Sequence, residues 1–140
     1  MPPKKTKEKI EWTYKGETIN KIEQTPENSF AFIYKITLED GRYYLGKKYM
    51  YKPNYTSGKN KGKPKGVYPW QSYISSSVEL KKLIKEGIKY KKEILFFTFS
   101  RAETTYKETK EILNGALTDP NCLNYWVKCT VYSKHLEPNS

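Results

Sequence analysis

The chain has 140 residues, and its 26 basic against 15 acidic residues give a formal net charge of +11. Such a surplus on a chain of single-domain length favours a polyanionic partner such as nucleic acid. Two cysteines and one histidine exclude a disulfide framework and a Cys/His zinc site, and no run of about 18 apolar residues occurs that could span a membrane. We expect a disordered basic tail at 1–9, a single domain at 10–132 and a second tail at 133–140. The start lacks a signal peptide, so the protein is expected in the cytoplasm.

The first predicted elements are four strands that form two hairpins. Residues 10–22 contain two short strand-like stretches on either side of Lys15-Gly16, which predicts an N-terminal β-hairpin. Residues 30–38 alternate in side-chain type, and residues 42–50 return as their partner strand. Asp40-Gly41 lies between them, and this dipeptide is favoured in tight turns because glycine tolerates positive φ.

Residues 52–66 are rich in lysine and glycine and contain no acidic residue. This composition predicts a mobile basic loop, which is either a solvated insert or an arm that contacts phosphates. The net charge of +11 favours the arm. The loop lysines expected to bind nucleic acid are Lys59, Lys61, Lys63 and Lys65.

A helix and a strand are predicted after this loop. Ser76 followed by Glu79 fits a capping box at the start of a helix that stops at Gly87. Residues 90–99 are then nearly continuous in apolar side chains, which is typical of a central strand.

A second helix is predicted to begin at Ser100, with Glu103 completing another capping box, and to end near residues 113–116. Its expected inner stripe is Tyr106, Thr109, Ile112, Leu113 and Ala116. Residues 125–132 are a further candidate strand. The order of elements predicts an α+β fold in which a small mixed or antiparallel sheet in β-β-α-β-α order follows an N-terminal β-hairpin.

Several polar side chains of this fold suit the hydrolysis of a phosphodiester bond. That reaction needs an oriented and deprotonated water, a cation that offsets charge on the phosphate, and a carboxylate if a metal takes part. Tyr34 and Tyr44 supply hydroxyls on paired strands, and Lys47 and Lys48 follow directly. Glu108 lies on the second helix, where it can point along the edge of the sheet. Taken singly, each has a plain interpretation as a core or solvated side chain.

The same residues belong to five short motifs that follow one another along the chain. The motifs are Phe32-Ile33-Tyr34, Tyr44-Leu45-Gly46, Trp70-Gln71-Ser72-Tyr73-Ile74-Ser75-Ser76, Tyr106-Lys107-Glu108 and Asn124-Tyr125-Trp126-Val127. In this order and spacing, residues 10–130 resemble the GIY-YIG nuclease domain, and in particular the phage Seg-like homing endonucleases. Phe32 stands where the family has its first glycine.

The resemblance implies a role for each matched residue. Tyr34 would be the general base or its close orienter, a role for which its pKa would need lowering, as an adjacent lysine could do. Tyr44 would orient the water or the phosphate. Glu108 would bind one divalent metal ion, Mg²⁺ or Mn²⁺, and Asn124 would brace the site, its alternative being a turn cap. Trp70 would be either a core anchor or a nucleic-acid contact that stacks on a base.

One departure from the family concerns the arginine that many members carry on the helix after the second motif. The corresponding region here is the Lys/Gly-rich loop, which contains no arginine. Lys47 and Lys48 are the nearest substitutes, and lysine neutralises a phosphate without forming a bidentate fork. The chain is therefore predicted to be a metal-dependent DNA endonuclease of the phage GIY-YIG type, a monomer or homodimer, with RNA as a second candidate partner. The alternatives are a catalytically weakened nucleic-acid-binding module and a host-directed regulatory protein on the same fold.

Overall fold

The structure, a computed structural model, describes residues 10–114 and 118–124. The strands are β1 (Trp12–Tyr14), β2 (Glu17–Ile19), β3 (Ala31–Leu38), β4 (Tyr43–Tyr49) and β5 (Tyr90–Thr98), and the helices are α1 (Val78–Lys85) and α2 (Arg101–Leu113). The predicted tails at 1–9 and 133–140 and the candidate strand at 125–132 lie outside the described residues. Within the described ranges, neither helix is long and apolar enough to cross a membrane.

Both predicted hairpins are confirmed. β1 pairs with β2 and β3 pairs with β4, each in antiparallel orientation. Lys15 and Gly16 connect the first pair with positive φ angles of 51° and 84°, and Gly41 turns the second with a φ of 93°. The turn residues therefore specify both hairpins locally, before any long-range contact forms.

The five strands form one mixed sheet in the order β2-β1-β5-β3-β4. β5 lies at its centre, as predicted, antiparallel to β3 and parallel to β1. β4 is an edge strand, and its regular pairing with β3 places Tyr34 opposite Gly46 and Tyr44 opposite Ile36. An α+β fold with a mixed sheet and two helices is thus confirmed.

The two helices cover opposite faces of this sheet. Leu80 of α1 belongs to the main hydrophobic core together with Tyr34 of β3. Ile112 of α2 packs with Leu45 of β4 in a separate cluster. Because side chains alternate along a strand, the even-numbered residues of β4 face α1 and the odd-numbered ones face α2.

The cap of α1 differs from the prediction by one residue. Ser77, not Ser76, is the N-cap, and its Oγ accepts a hydrogen bond of 3.2 Å from the backbone N–H three residues further on. Ser76 is exposed, and its side chain does not cap the helix. Ser100 caps α2 as predicted, accepting at 3.1 Å from the N–H of Glu103.

The inner stripe of α2 was only partly predicted. Its buried residues are Thr104, Thr109 and Ile112. The prediction was wrong for Tyr106 and Leu113, which are 36% and 59% exposed, and Ala116 lies outside the described residues. Thr104 was missed because its inward position depends on a hydrogen bond, 2.6 Å to the Thr98 hydroxyl, and not on apolar character.

Backbone hydrogen bonds connect the two sides of the predicted basic loop. The chain leaves β4 and returns as an irregular hairpin, with isolated bridges from Tyr51 to Val67 and from Asn54 to Pro64. Residues 52–65 are all exposed. We call residues 51–67 the basic arm.

Candidate active site

A cleft of about 1090 Å³ opens along the edge of the sheet beside β4. Five of the six predicted catalytic residues line it, namely Tyr44, Lys47, Lys48, Glu108 and Asn124. Because β4 pairs with a named strand on one side only in the described part of the chain, side chains from both of its faces reach the same space around its other edge. Residues separated by up to 80 positions in the chain therefore meet at one place.

Asn124 braces β4 at the inner end of the cleft. Its side chain accepts a hydrogen bond from the N–H of Leu45 and donates one to the carbonyl of the same residue, both 2.8 Å long. The amide thus takes the place of a neighbouring strand for one residue of the edge. Asn124 is buried, so these two bonds are shielded from water and fix the position of β4.

Tyr34 does not line the cleft, since its side chain is completely buried. Its ring lies over Gly46, where an added Cβ would be 2.5 Å from Tyr34 Cζ. Its hydroxyl donates to Ser75 Oγ over 3.5 Å. Burial raises the pKa of Tyr34 well above its ordinary value, and interaction with Tyr73 adds to the rise. The expected lowering of this pKa by an adjacent lysine was wrong, because loss of solvation is the largest effect on Tyr34 and raises the pKa.

Of the two motif tyrosines, Tyr44 is the one that lines the cleft. Its ring centroid lies 6.3 Å from that of Tyr34. Burial raises the pKa of Tyr44, the nearby Ser76 hydroxyl opposes this rise, and the Glu108 carboxylate raises the pKa further. Tyr44 is therefore a neutral phenol at neutral pH, able to donate a hydrogen bond into the cleft.

Glu108 and Lys47 face each other on the α2 side of β4. Glu108 Oε1 lies 3.8 Å from Lys47 Nζ, and the two side chains are 16% and 29% exposed. Burial raises the pKa of Glu108, while the nearby charge of Lys47 partly offsets the rise. Glu108 is thus a carboxylate whose lost hydration one lysine only partly replaces, and a further cation would stabilise it.

Lys48 approaches the cleft from the other face of β4. Its Nζ lies 4.5 Å from the ring centroid of Tyr68 and 4.3 Å from that of Tyr73. Burial lowers the pKa of Lys48, and the two rings offset part of the lost hydration by cation–π attraction. The ammonium group is therefore held in one place at the cleft wall.

The carboxylates of the cleft come from Glu108 and Glu79. Among the described residues, no group of three or more His, Cys, Asp or Glu is placed to hold a metal ion by itself. Mg²⁺ commonly binds through one or two carboxylates, with water and substrate phosphates as the other ligands. The partly compensated Glu108 fits such an ion, one that binds together with a phosphate.

The predicted nucleic-acid contacts have two different outcomes. Trp70 is completely buried, its ring packs 6.1 Å from that of Phe32, and its carbonyl accepts a hydrogen bond of 2.8 Å from Trp12 Nε1. Trp70 is therefore a core anchor, and the base-stacking alternative was wrong because no face of the ring is exposed. The four predicted lysines lie exposed on the basic arm and are not part of the cleft wall.

Sequence reasoning missed several polar residues that line the cleft, among them Tyr73, Ser76 and Lys82. The first two belong to the third motif quoted above, so a signal for them was present. Lys82 carries no such signal, since its neighbour Lys81 is equally exposed and only the rotation of α1 directs Lys82 to the cleft. Lys82 adds a cation from a helix to those that β4 supplies.

Comparison with known proteins agrees with this geometry. The family model described as "Putative endonuclease segE, GIY-YIG domain" matches residues 12–127. No curated protein and no solved structure gives a significant match to the chain. The matched range includes both tyrosine motifs, the helix that carries Glu108 and the bracing Asn124. The chain therefore belongs to the GIY-YIG nuclease domain family, in its SegE group.

Proposed function

We propose that this nuclease domain is a divalent-metal-dependent endonuclease of the phage GIY-YIG type, which hydrolyses phosphodiester bonds of DNA in the bacterial cytoplasm. The observation that carries the proposal is the convergence of Tyr44, Lys47, Lys48 and Glu108 on one cleft, with Asn124 as the brace. These groups are a hydroxyl donor, two cations and a carboxylate, which together suit a phosphate under attack by water.

DNA would be held mainly through its phosphates. The net charge of +11 consists almost entirely of lysine, which neutralises phosphates without reading base edges bidentately. The exposed lysines of the basic arm, Lys59, Lys61, Lys63 and Lys65, would extend the contact beyond the cleft. Binding is therefore expected to be strongly salt-dependent and to show little base selectivity.

Within the cleft, the phosphate would lie at the edge of β4, where side chains from both faces of this strand reach it. Lys47 and Lys48 approach from opposite faces and would neutralise its non-bridging oxygens. Tyr44, neutral because its pKa is raised, would donate a hydrogen bond to the attacking water or to a phosphate oxygen. Tyr34 would act as a positioning residue, because its buried ring packs on Gly46.

Glu108 would hold the metal ion, Mg²⁺ or Mn²⁺. When bound, the ion would supply Lewis-acid stabilisation of the charge that develops on the phosphate oxygens. Glu108 must be ionised for this role. Since burial raises its pKa, cleavage is expected to increase as the pH rises through that raised value.

The test is cleavage of supercoiled plasmid DNA with Mg²⁺ by the wild type, Glu108→Gln and Glu111→Gln. Glu111 lies on the same helix but does not line the cleft, so its variant controls for the loss of a charge from α2. Glu108→Gln should lower the cleavage rate at least about 100-fold, and Glu111→Gln should leave it unchanged. Equal cutting by all three proteins would overturn the assignment of Glu108.

A binding-only module is the second candidate, favoured by two observations. The described cleft wall contains no arginine, and Lys47 is already 3.8 Å from Glu108. Such a module would bind DNA in a salt-sensitive manner in both the wild type and Glu108→Gln, and would cut with neither Mg²⁺ nor Mn²⁺.

A further inference from the structure

Two cationic side chains, Lys47 and Arg101, lie near the ring of one aromatic residue of the cleft, Tyr49. Tyr49 is the last residue of β4 and lines the cleft. The guanidinium carbon of Arg101, the first residue of α2, lies 4.8 Å from the centroid of the Tyr49 ring. Lys47 Nζ lies 5.8 Å from the same centroid. A ring face attracts a cation without neutralising it, so the positive charge stays available to an anion.

Arg101 differs from the other arginine of the chain in how it is engaged. Arg42 is held by Asp40 through an ion pair of 2.8 Å and a hydrogen bond of 2.9 Å. Arg101 is exposed and forms no ion pair with any carboxylate in the described part of the chain. Its planar fork of N–H donors is therefore not engaged by a carboxylate of the described residues, and such a fork can bind a phosphate bidentately.

Backbone donors point to the same place. The N–H groups of Tyr43 and Leu45 donate away from β3, to Asn121 and Asn124 respectively. N–H groups along an antiparallel strand alternate in direction with a period of two, so those of the later odd-numbered positions of β4, 47 and 49, also point outward. No strand among the described residues pairs with this part of the edge, which borders the cleft.

We propose that Tyr49, Arg101 and the outward-facing edge of β4 form a second phosphate subsite, which holds the substrate strand where it leaves the cleft. This inference rests on the proposed function of the cleft. Lys47 connects the two positions, since its Nζ is 3.8 Å from Glu108 and 5.8 Å from the Tyr49 ring. The Phe30 ring packs against the Tyr49 ring at a centroid distance of 5.4 Å and so helps to fix its position.

The subsite is tested by DNA binding, measured separately from cleavage. A fluorescently labelled DNA duplex is titrated at several salt concentrations with Glu108→Gln protein, which should not cut it. Arg101→Gln in this background should weaken binding about tenfold, the effect of one charge-assisted hydrogen-bonding group. It should also lower the slope of log affinity against log salt by about one. The matched control, Arg42→Gln, removes the arginine that Asp40 already holds and should leave the slope unchanged.

Two further variants separate the effect of the Arg101 charge from that of the Tyr49 ring. Arg101→Lys keeps the charge and should keep the salt slope while losing part of the affinity, because lysine cannot fork on a phosphate. Tyr49→Leu keeps Arg101 and removes the ring that positions it. If binding depends on their contact, the effects of Tyr49→Leu and Arg101→Gln will be less than additive when combined.

The subsite and the proposed function can fail independently. Equal affinities and salt slopes for Arg101→Gln and Arg42→Gln would overturn the subsite, whether or not the protein with Glu108 intact cuts DNA. A clear Arg101 effect on binding, together with no cleavage in any divalent metal, would support the subsite and overturn the endonuclease.

Discussion

Because the Tyr34 ring packs on Gly46, a methyl group added at position 46 should destabilise the protein. Gly46 has no positive φ, so alanine at this position introduces no backbone strain. Its Cβ would, however, lie 2.5 Å from Cζ and 3.0 Å from Cε1 of Tyr34. Trp12 and Tyr73 pack on the same ring at centroid distances of 5.3 Å and 6.0 Å, so the ring has no free direction in which to move.

The expected magnitude follows from two opposing effects. Replacing glycine by alanine at an unstrained position stabilises a protein by about 0.4–1 kcal/mol, because the unfolded chain loses freedom. Inserting a methyl group into a filled core costs about 1–3 kcal/mol. Since the clash is with a completely buried ring, the second effect should prevail. Gly46→Ala should lower the free energy of unfolding by about 1–2 kcal/mol and the melting temperature by about 3–6 °C.

The assay is urea and thermal unfolding of Gly46→Ala, followed by circular dichroism, with plasmid cleavage measured on the folded protein. The matched control is the same substitution in a Tyr34→Leu background, where the ring is absent and the alanine should be neutral or stabilising. A double-mutant cycle gives the coupling of the two positions. A Gly46→Ala protein that is as stable as the wild type, or more so, would refute the contact and with it the positioning role of Tyr34.

Three further predictions concern α1, the carboxylate and the brace. Ser77→Ala should lower the free energy of unfolding by about 1 kcal/mol, whereas Ser76→Ala should change it by less than about 0.5 kcal/mol, as urea titration can show. A raised pKa means that folding favours the protonated Glu108, and this contribution is lost as the pH rises from the ordinary value through the raised one. Glu108→Gln should therefore gain thermal stability relative to the wild type over that interval, and Glu111→Gln should show no such trend. Asn124→Asp keeps the acceptor but turns a carboxylate towards the carbonyl it faces in β4; it should cost about 2 kcal/mol at neutral pH, and less in acid, where the protonated group can donate again.

The elements could be predicted from sequence where local chemistry decides them, and the cap of α1 shows where it does not. Three consecutive serines carry the same local signal for an N-cap. Ser75 Oγ accepts from both the Tyr34 hydroxyl and the N–H of Ser77, so it is engaged outside the helix. Ser77 is the serine whose side chain accepts from the helix backbone. The tertiary contact of Ser75 with Tyr34 cannot be read from a pattern within the helix.

The site shows the same division. Motif order predicted the residues that converge on the cleft, but the pKa of Tyr34 depends on burial, which strand alternation alone does not give. The contact of Tyr49 with Arg101 joins residues 52 positions apart and has no sequence signal. It arises because Ala31 pairs with Tyr49 on one side and Thr98 on the other, so that β4 and the start of α2 end at the same level.

The open edge of β4 links the fold to the chemistry. An unpaired strand edge invites pairing with another chain, and proteins commonly block such edges with lysine or with a covering segment. Here Asn124 covers the inner part of the edge, and the stretch beyond it carries Lys47 and Lys48. In the proposed function, the charges that keep a second strand away would also attract a polyanion, and the outward N–H groups that a strand would have used would become donors for phosphate. Protection of the sheet edge and binding of a phosphate would then require the same residues, which is a physical reason for a nuclease cleft to lie along this edge.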